Sequence, residues 1–199
     1  MSAPDKYVSL RLEKDLEKMR TAENLLREIP NGFNKALSMA LNRGVTSARA
    51  EATRIVRAEF TVKARDVRET FRIKKATPNN PEAVLSSYGH RFGFWRFKHT
   101  PRAEDTTGAN RRPTSVTIKK SKTNQLRNGF KWRGQIFLRT NQTNRLGRKG
   151  QLVRPVSLSV PEMLNKKTVS DAIQKYQQEI TLKRLDHETQ WLLSKAKKG

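Results

Sequence analysis

The sequence predicts an α+β fold: a long helix in the N-terminal half and a C-terminal helix, packed on a small antiparallel β-sheet with long basic loops. Three observations predict it. Apolar and small residues recur every three to four positions between Phe33 and Val56, and apolar residues do so again after Val169. Between these segments, short stretches alternate apolar and polar residues with the period of a half-buried strand. The charge divides in the same way. Residues 60–155 hold 23 Lys and Arg against 5 Asp and Glu, whereas the flanking segments hold 19 against 13, within a net charge of +24 over 199 residues.

Taken in order, Tyr7, Val8, Leu10 and Leu12 alternate as a short strand. Asp15 is placed to cap a helix through Leu26, ended by Pro30-Asn31-Gly32. The next helix is the clearest. Phe33, Leu37, Ala40, Leu41, Ala48, Ala52, Ile55 and Val56 form one stripe, with Arg43, Arg49, Arg54 and Arg57 mostly off it. Its small residues require something packed closely against it; Gly44 weakens it locally by about 1 kcal/mol relative to Ala. The helix should end near Phe60. Thr70–Lys75 reads as a strand, Asn79-Asn80-Pro81 as a turn, Ala83–Phe97 as a second strand and Lys98–Pro113 as a long loop. Ser115–Lys119 and Phe130–Arg133, continuing into Gln135–Arg139, read as a hairpin joined through Asn128-Gly129. Residues 141–150 form a polar tip, and Leu152–Val160 a strand that Pro155 confines to an edge or a bulge. Ser159–Leu164 reads as a short turn or helix with Pro161 in its first turn. Thr168–Asp171 fits a capping box opening the last helix, whose face is Val169, Ile173, Tyr176 and Ile180 and whose end is near Lys195. The expected organisation is one domain over 1–199: strand and helices at 7–60, a basic β region at 61–160 with loops 98–113 and 141–150, and a helical part at 161–199.

Composition sets the function classes. A compact protein repels itself at this charge, so a polyanion or a charge-neutralising assembly is its expected setting. The apolar fraction of 35% is low for a self-sufficient globule and suits a chain with extended arms or one finished by partner subunits. With no cysteine there are no disulfides or thiolate metal sites. No run is long and apolar enough to span a membrane, and the N-terminus lacks the apolar core of a signal peptide, so a cytosolic product without membrane contact is expected.

Catalytic signatures for phosphate cradling, acyl transfer and zinc hydrolysis are absent, and neither a metal nor a cofactor is expected. His90, His99 and His187 lack ligand spacing. Asp66 and Glu69 could serve a metal-dependent nuclease, but beside Arg65 and Arg68 they read first as a surface ion network. Tyr88–Lys98 interleaves cations with aromatics as single-strand binders do; a strand with its rings in the core accounts for it more simply. No base-reading motif is present, so contact with DNA would be by charge. Arg111, Arg112, Arg127, Arg145, Arg148 and Lys149, all on expected loops or tips, are the candidates for contact with nucleic acid or an acidic partner.

The order of elements resembles a known family. The Ala-rich helix of Asn31–Glu59, the basic segment FKWRGQIFLRT, then LVRPVSLSVPEML and a terminal amphipathic helix are similar to the minor tail protein Z, or tail-completion, family of long-tailed phages. The most specific likeness is Ser159-Val-Pro-Glu-Met-Leu164, with Leu158 and Glu162 where relatives have Pro and Gln. The resemblance implies a non-enzymatic virion component at the head-proximal end of the tail tube. It implies a homo-oligomeric ring, commonly six-fold, that completes the tail and meets tube, neck or tail-terminator proteins, with DNA passing through a basic lumen. Ala48, Ala52, Pro161, Met163 and Leu164 are the expected assembly or packing residues. The alternative is a soluble protein that binds nucleic acid without sequence preference.

Overall fold

The computed structural model describes residues 8–10, 16–100, 114–143, 147, 150–165 and 167–197. Two long helices form its spine: α2 (Gly32–Glu59) and α5 (Lys167–Ala196). At 1.5 Å per residue they are each roughly 40–45 Å long. They pack against one another along the most extensive contact in the chain. The small-residue stripe makes this possible. Ala36, Ala40, Ala48 and Ala52 are all buried, and Leu37, Leu41, Val45 and Val56 fill the gaps between them. Gly44 marks the closest approach: a methyl group there would collide with the Thr181 hydroxyl of α5. The glycine that costs helix propensity thus admits the partner helix. A shorter helix, α1 (Leu16–Leu25), lies against α5 and buries Ala22, and Leu26 just beyond its end is buried too.

The face that α5 turns inward is not the one its apolar spacing predicts. Ile173, Gln177, Thr181, Leu185, Glu188, Thr189 and Leu192 are buried, while Tyr176 is exposed. The Thr181 side chain and the Gln177 backbone carbonyl sit opposite Gly44. The Thr181 hydroxyl is satisfied by the Gln177 carbonyl at 2.8 Å. Nor does α5 start where expected: Thr168 and Asp171 lie inside it, so they form no capping box. The box belongs instead to α4 (Val160–Leu164), where the Ser159 hydroxyl accepts from the Glu162 N–H and the Glu162 carboxylate accepts from the Ser159 N–H at 2.9 Å.

Among the described residues the β region is three small antiparallel sheets rather than one. The first has the order β1 (Val8–Leu10), β3 (Val84–Ser87), β2 (Phe71–Lys74), and follows α3 (Ala64–Arg68). The second is β4 (Lys98–Thr100), β5 (Thr114–Thr117), β6 (Thr123–Leu126), and the third β7 (Gly129–Trp132), β8 (Gln135–Arg139), β9 (Leu152–Val153). They are tied to the spine at named points. The Asn42 side chain of α2 acts as a surrogate strand, donating to the Ala76 carbonyl at 2.9 Å and accepting from the Ala76 N–H at 2.8 Å. At the end of α2, Thr61 N–H donates to Ile118 and Lys120 N–H to Glu59, so the helix leads directly onto the end of β5.

Four strand expectations are corrected. Ala83–Phe97 is a strand only as far as Ser87. Beyond it, Phe92 and Phe94 bond with the backbone of 155–158 instead of a neighbouring strand, and Phe94–Arg96 forms a 3-10 turn. Lys98–Thr100 is a strand rather than loop; its sequence, Lys-His-Thr, carries no apolar alternation by which to see it. The partner of β5 is the polar β6, not Phe130–Arg133, which instead forms its own hairpin with Gln135–Arg139. Asn128, with φ 58°, turns the chain from the second sheet into the third. Finally, Leu152–Val160 is a strand only over Leu152–Val153, on the sheet edge, because Val160 already opens α4.

Candidate functional site

The residues with catalytic potential are engaged in structural pairs. Asp66 of α3 accepts from Arg96 at 3.0 Å, and Glu69 from Arg65 at 2.8 Å. The Glu69–Arg65 pair is the helix-surface pairing read from the sequence, whereas Asp66 is met by Arg96 from outside α3. Among the described residues no three His, Asp or Glu side chains gather as a metal site. The aromatic run of 88–98 belongs to the core. Phe92 and Phe97 are buried edge-to-face at 6.4 Å, with the Arg96 guanidinium 5.1 Å from the Phe92 ring centre. Tyr88 is exposed, with Arg72 over its ring at 5.9 Å.

The corner at α4 fixes how the spine returns to the sheets. Pro161 presets the backbone of the first turn, and Val160, Met163 and Leu164 are buried. Glu162 closes the corner, accepting from the Ser159 N–H and from Arg91 at 3.2 Å. The Ser159 hydrogen bond first, and the Arg91 contacts after it, hold the Glu162 carboxyl below the usual carboxylate range. Ala48 and Ala52 are likewise enclosed within the chain's own fold, under α5 and the first sheet.

The candidate contacts for a polyanion divide. Arg127 is exposed on the turn between β6 and β7. Arg111, Arg112, Arg145, Arg148 and Lys149 lie outside the described residues. The charge pattern around them is sharper than a regional surplus: between Thr106 and Pro161 there are thirteen Lys and Arg and no Asp or Glu.

Within that acid-free stretch, the β7–β8 hairpin displays a surface that the charge reading missed. The ladder sets Phe130 opposite Phe137 and Trp132 opposite Gln135. These side chains share the face opposite to the fully buried Ile136; on it Phe130 is buried, Phe137 and Gln135 are half-buried and Trp132 is exposed. Phe137 lies 5.9 Å from both Phe130, in a stacked arrangement, and Trp132, in a tilted one. Arg133 sits over Trp132 at 4.6 Å and Arg139 over Phe130 at 5.7 Å. The hairpin tip, Arg133-Gly134, has positive φ at both residues, 47° and 72°. The signal in the sequence was the run Lys-Trp-Arg-Gly, which places a cation and an aromatic ring at a two-residue turn.

Among the described residues no helix is long and apolar enough to cross a membrane. No curated protein and no solved structure matches the chain. The family described as prophage minor tail protein Z (GPZ) matches residues 17–195, from the second residue of α1 to the last turn of α5. That span covers both spine helices, all but the first strand and the α4 corner. The chain therefore belongs to the prophage minor tail protein Z family, and is a structural, non-enzymatic component of a phage tail that associates with other tail proteins.

Proposed function

We propose that this chain completes the tail as a ring, of six copies, at the head-proximal end of the tail tube. There it joins the neck and leaves a basic surface toward passing DNA. The observation that carries the reading is the division of charge on one subunit. The near-neutral helical segments, with 19 cations against 13 acids, allow copies to approach one another, whereas the acid-free stretch of 106–161 calls for a polyanion or an acidic neighbour. The helical layer also exposes apolar groups that a partner would cover: Leu25 at the end of α1, and Tyr176 and Trp191 on α5. A ring requires two different complementary surfaces per subunit. In this reading the subunit acts as one domain, and Ala48, Ala52, Pro161, Met163 and Leu164 serve packing within it.

Contact with DNA in the lumen would be through phosphates, by Arg127 and the cations of 111–112 and 145–149, without sequence preference. The test is electron microscopy and native mass spectrometry of the purified chain with and without tail tubes. Rings of one size that sit on tube ends are expected. A monomer that ignores tubes and binds free nucleic acid tightly would overturn the reading in favour of a nucleic-acid-binding protein.

A further inference from the structure

We propose that the outward face of the β7–β8 hairpin binds unpaired bases of a single-stranded nucleic acid, with Trp132 as the stacking platform and Arg133 and Arg139 as its cationic partners. The site goes beyond the ring reading and needs no oligomer. Exposure is the first argument. Trp132 is 46% exposed at the tip of a hairpin anchored from its other face by the fully buried Ile136. A large ring held at the surface on a rigid strand is a platform on which any base can stack, since every base has a π-face.

Charge is the second argument. The hairpin lies within 56 residues that contain no carboxylate, so a phosphate backbone meets no repulsion from this part of the sequence. Acidic protein partners would satisfy the charge equally, but they have no use for an exposed ring backed by others: Trp132 lies 5.9 Å from the half-buried Phe137, which stacks in turn on the buried Phe130. Unpaired bases use both the charge and the rings. Leu152, on the same face and 47% exposed, extends the apolar surface past Arg139, its cross-strand neighbour.

Backbone strain is the third. Arg133 is held at φ 47°, a region that Gly, Asn and Asp enter easily and a long side chain does not. A two-residue turn of this kind favours Asn or Gly at this position. The arginine instead places a guanidinium over the Trp132 ring at 4.6 Å. Strain of this sort is retained where the residue does something the relaxed choice would not.

The test measures binding of the full chain to fluorescein-labelled dT12 and to a twelve-unit abasic deoxyribose-phosphate strand. Both carry the same phosphates, and only one has bases. The native protein is expected to bind dT12 at least tenfold more tightly. Trp132→Leu should bring dT12 down to the abasic strand's affinity and leave abasic binding unchanged. Arg133→Asn should weaken dT12 binding without lowering the melting temperature, because Asn relaxes the turn. Equal affinity of the native protein for the two strands would overturn the proposal, whatever the variants do. So would Trp132→Leu with undiminished dT12 binding, or displacement of dT12 by an equal concentration of a twelve-residue polyglutamate. Failure to cap tail tubes bears on the ring reading and leaves this one standing.

Discussion

The helical layer and the β layer of this subunit are built on opposite economies. The α2–α5 interface is closed upon itself: its stripe is covered and its crossing point is occupied to the limit by Gly44 and Thr181, although α5 leaves Tyr176 and Trp191 exposed away from it. The β layer is open. It consists of three small sheets, each with two edges, exposed Trp132 and Leu152, and a run of cations with no acids among them. Mutations in the first should therefore change whether the subunit folds. Mutations in the second should change what the folded subunit holds.

The strongest break falls at the crossing. Gly44→Leu drives a side chain into Thr181 and should abolish folding or lower the melting temperature drastically; Gly44→Ala should be destabilising through the Thr181 hydroxyl, and adding Thr181→Ala should recover part of the Gly44→Ala loss. Ala48→Gln belongs to the same class, since it places an amide in a site with no exposure at all. A thermal melt unchanged by either would remove the spine from its place as the stabilising element. Next comes the α4 corner. Met163→Ala removes a buried side chain and should cost about 2–5 kcal/mol by denaturant unfolding.

Smaller effects come from the cap and the surface. Ser159→Ala should cost about 1 kcal/mol through the lost N-cap. Glu162→Gln should be destabilising only where the native carboxylate is charged. Its folded-state pKa lies below the ordinary value of 4.5, so its contribution is fully present above that value and lost as pH falls through the lowered one. The melting curves of native protein and Glu162→Gln should converge in acid; a constant gap would mean that the hydrogen-bonding shape alone matters. Smallest for stability, within about 0.5 kcal/mol, is Arg127→Ser. Its effect should appear in duplex binding, where the log–log salt slope falls by about 0.9 if one phosphate contact is lost. A stability loss larger than the binding loss would join Arg127 to the closed layer and erase the contrast.

How much of this was legible followed the same divide. The α2 stripe could be read because helix periodicity and burial coincide from Leu37 to Val56, and the α+β class followed from it. The inward face of α5 could not, because the polar Gln177 and Thr181 are buried at the close crossing with α2 while Tyr176 is exposed. The capping box was misplaced for a related reason. Thr168 and Asp171 have suitable chemistry, but Lys167 is already helical, while Ser159 and Glu162 lie in a segment whose reading as a short turn or helix rested on Pro161 alone. In the β layer, β4 and β6 carry almost no apolar signal, since they are fixed by ladder bonds to β5 more than by burial. The surplus of cations was plain, but the ring cluster of Phe130, Trp132 and Phe137 was not. Its rings were visible as alternation and were read only as strand, because alternation alone does not tell which of two faces meets solvent.

The acid-free stretch has one further consequence. In dilute solution such a surface is not bare, because mobile anions gather within a Debye length of about 8 Å at physiological ionic strength. These ions are placeholders. When a polyanion settles on the β layer they are dispersed, together with the cations that had crowded its phosphates, and the entropy of that release drives the docking. The dissolved subunit thus carries a temporary ionic lining. The ionic strength at which assembly occurs then decides how readily that lining is given up.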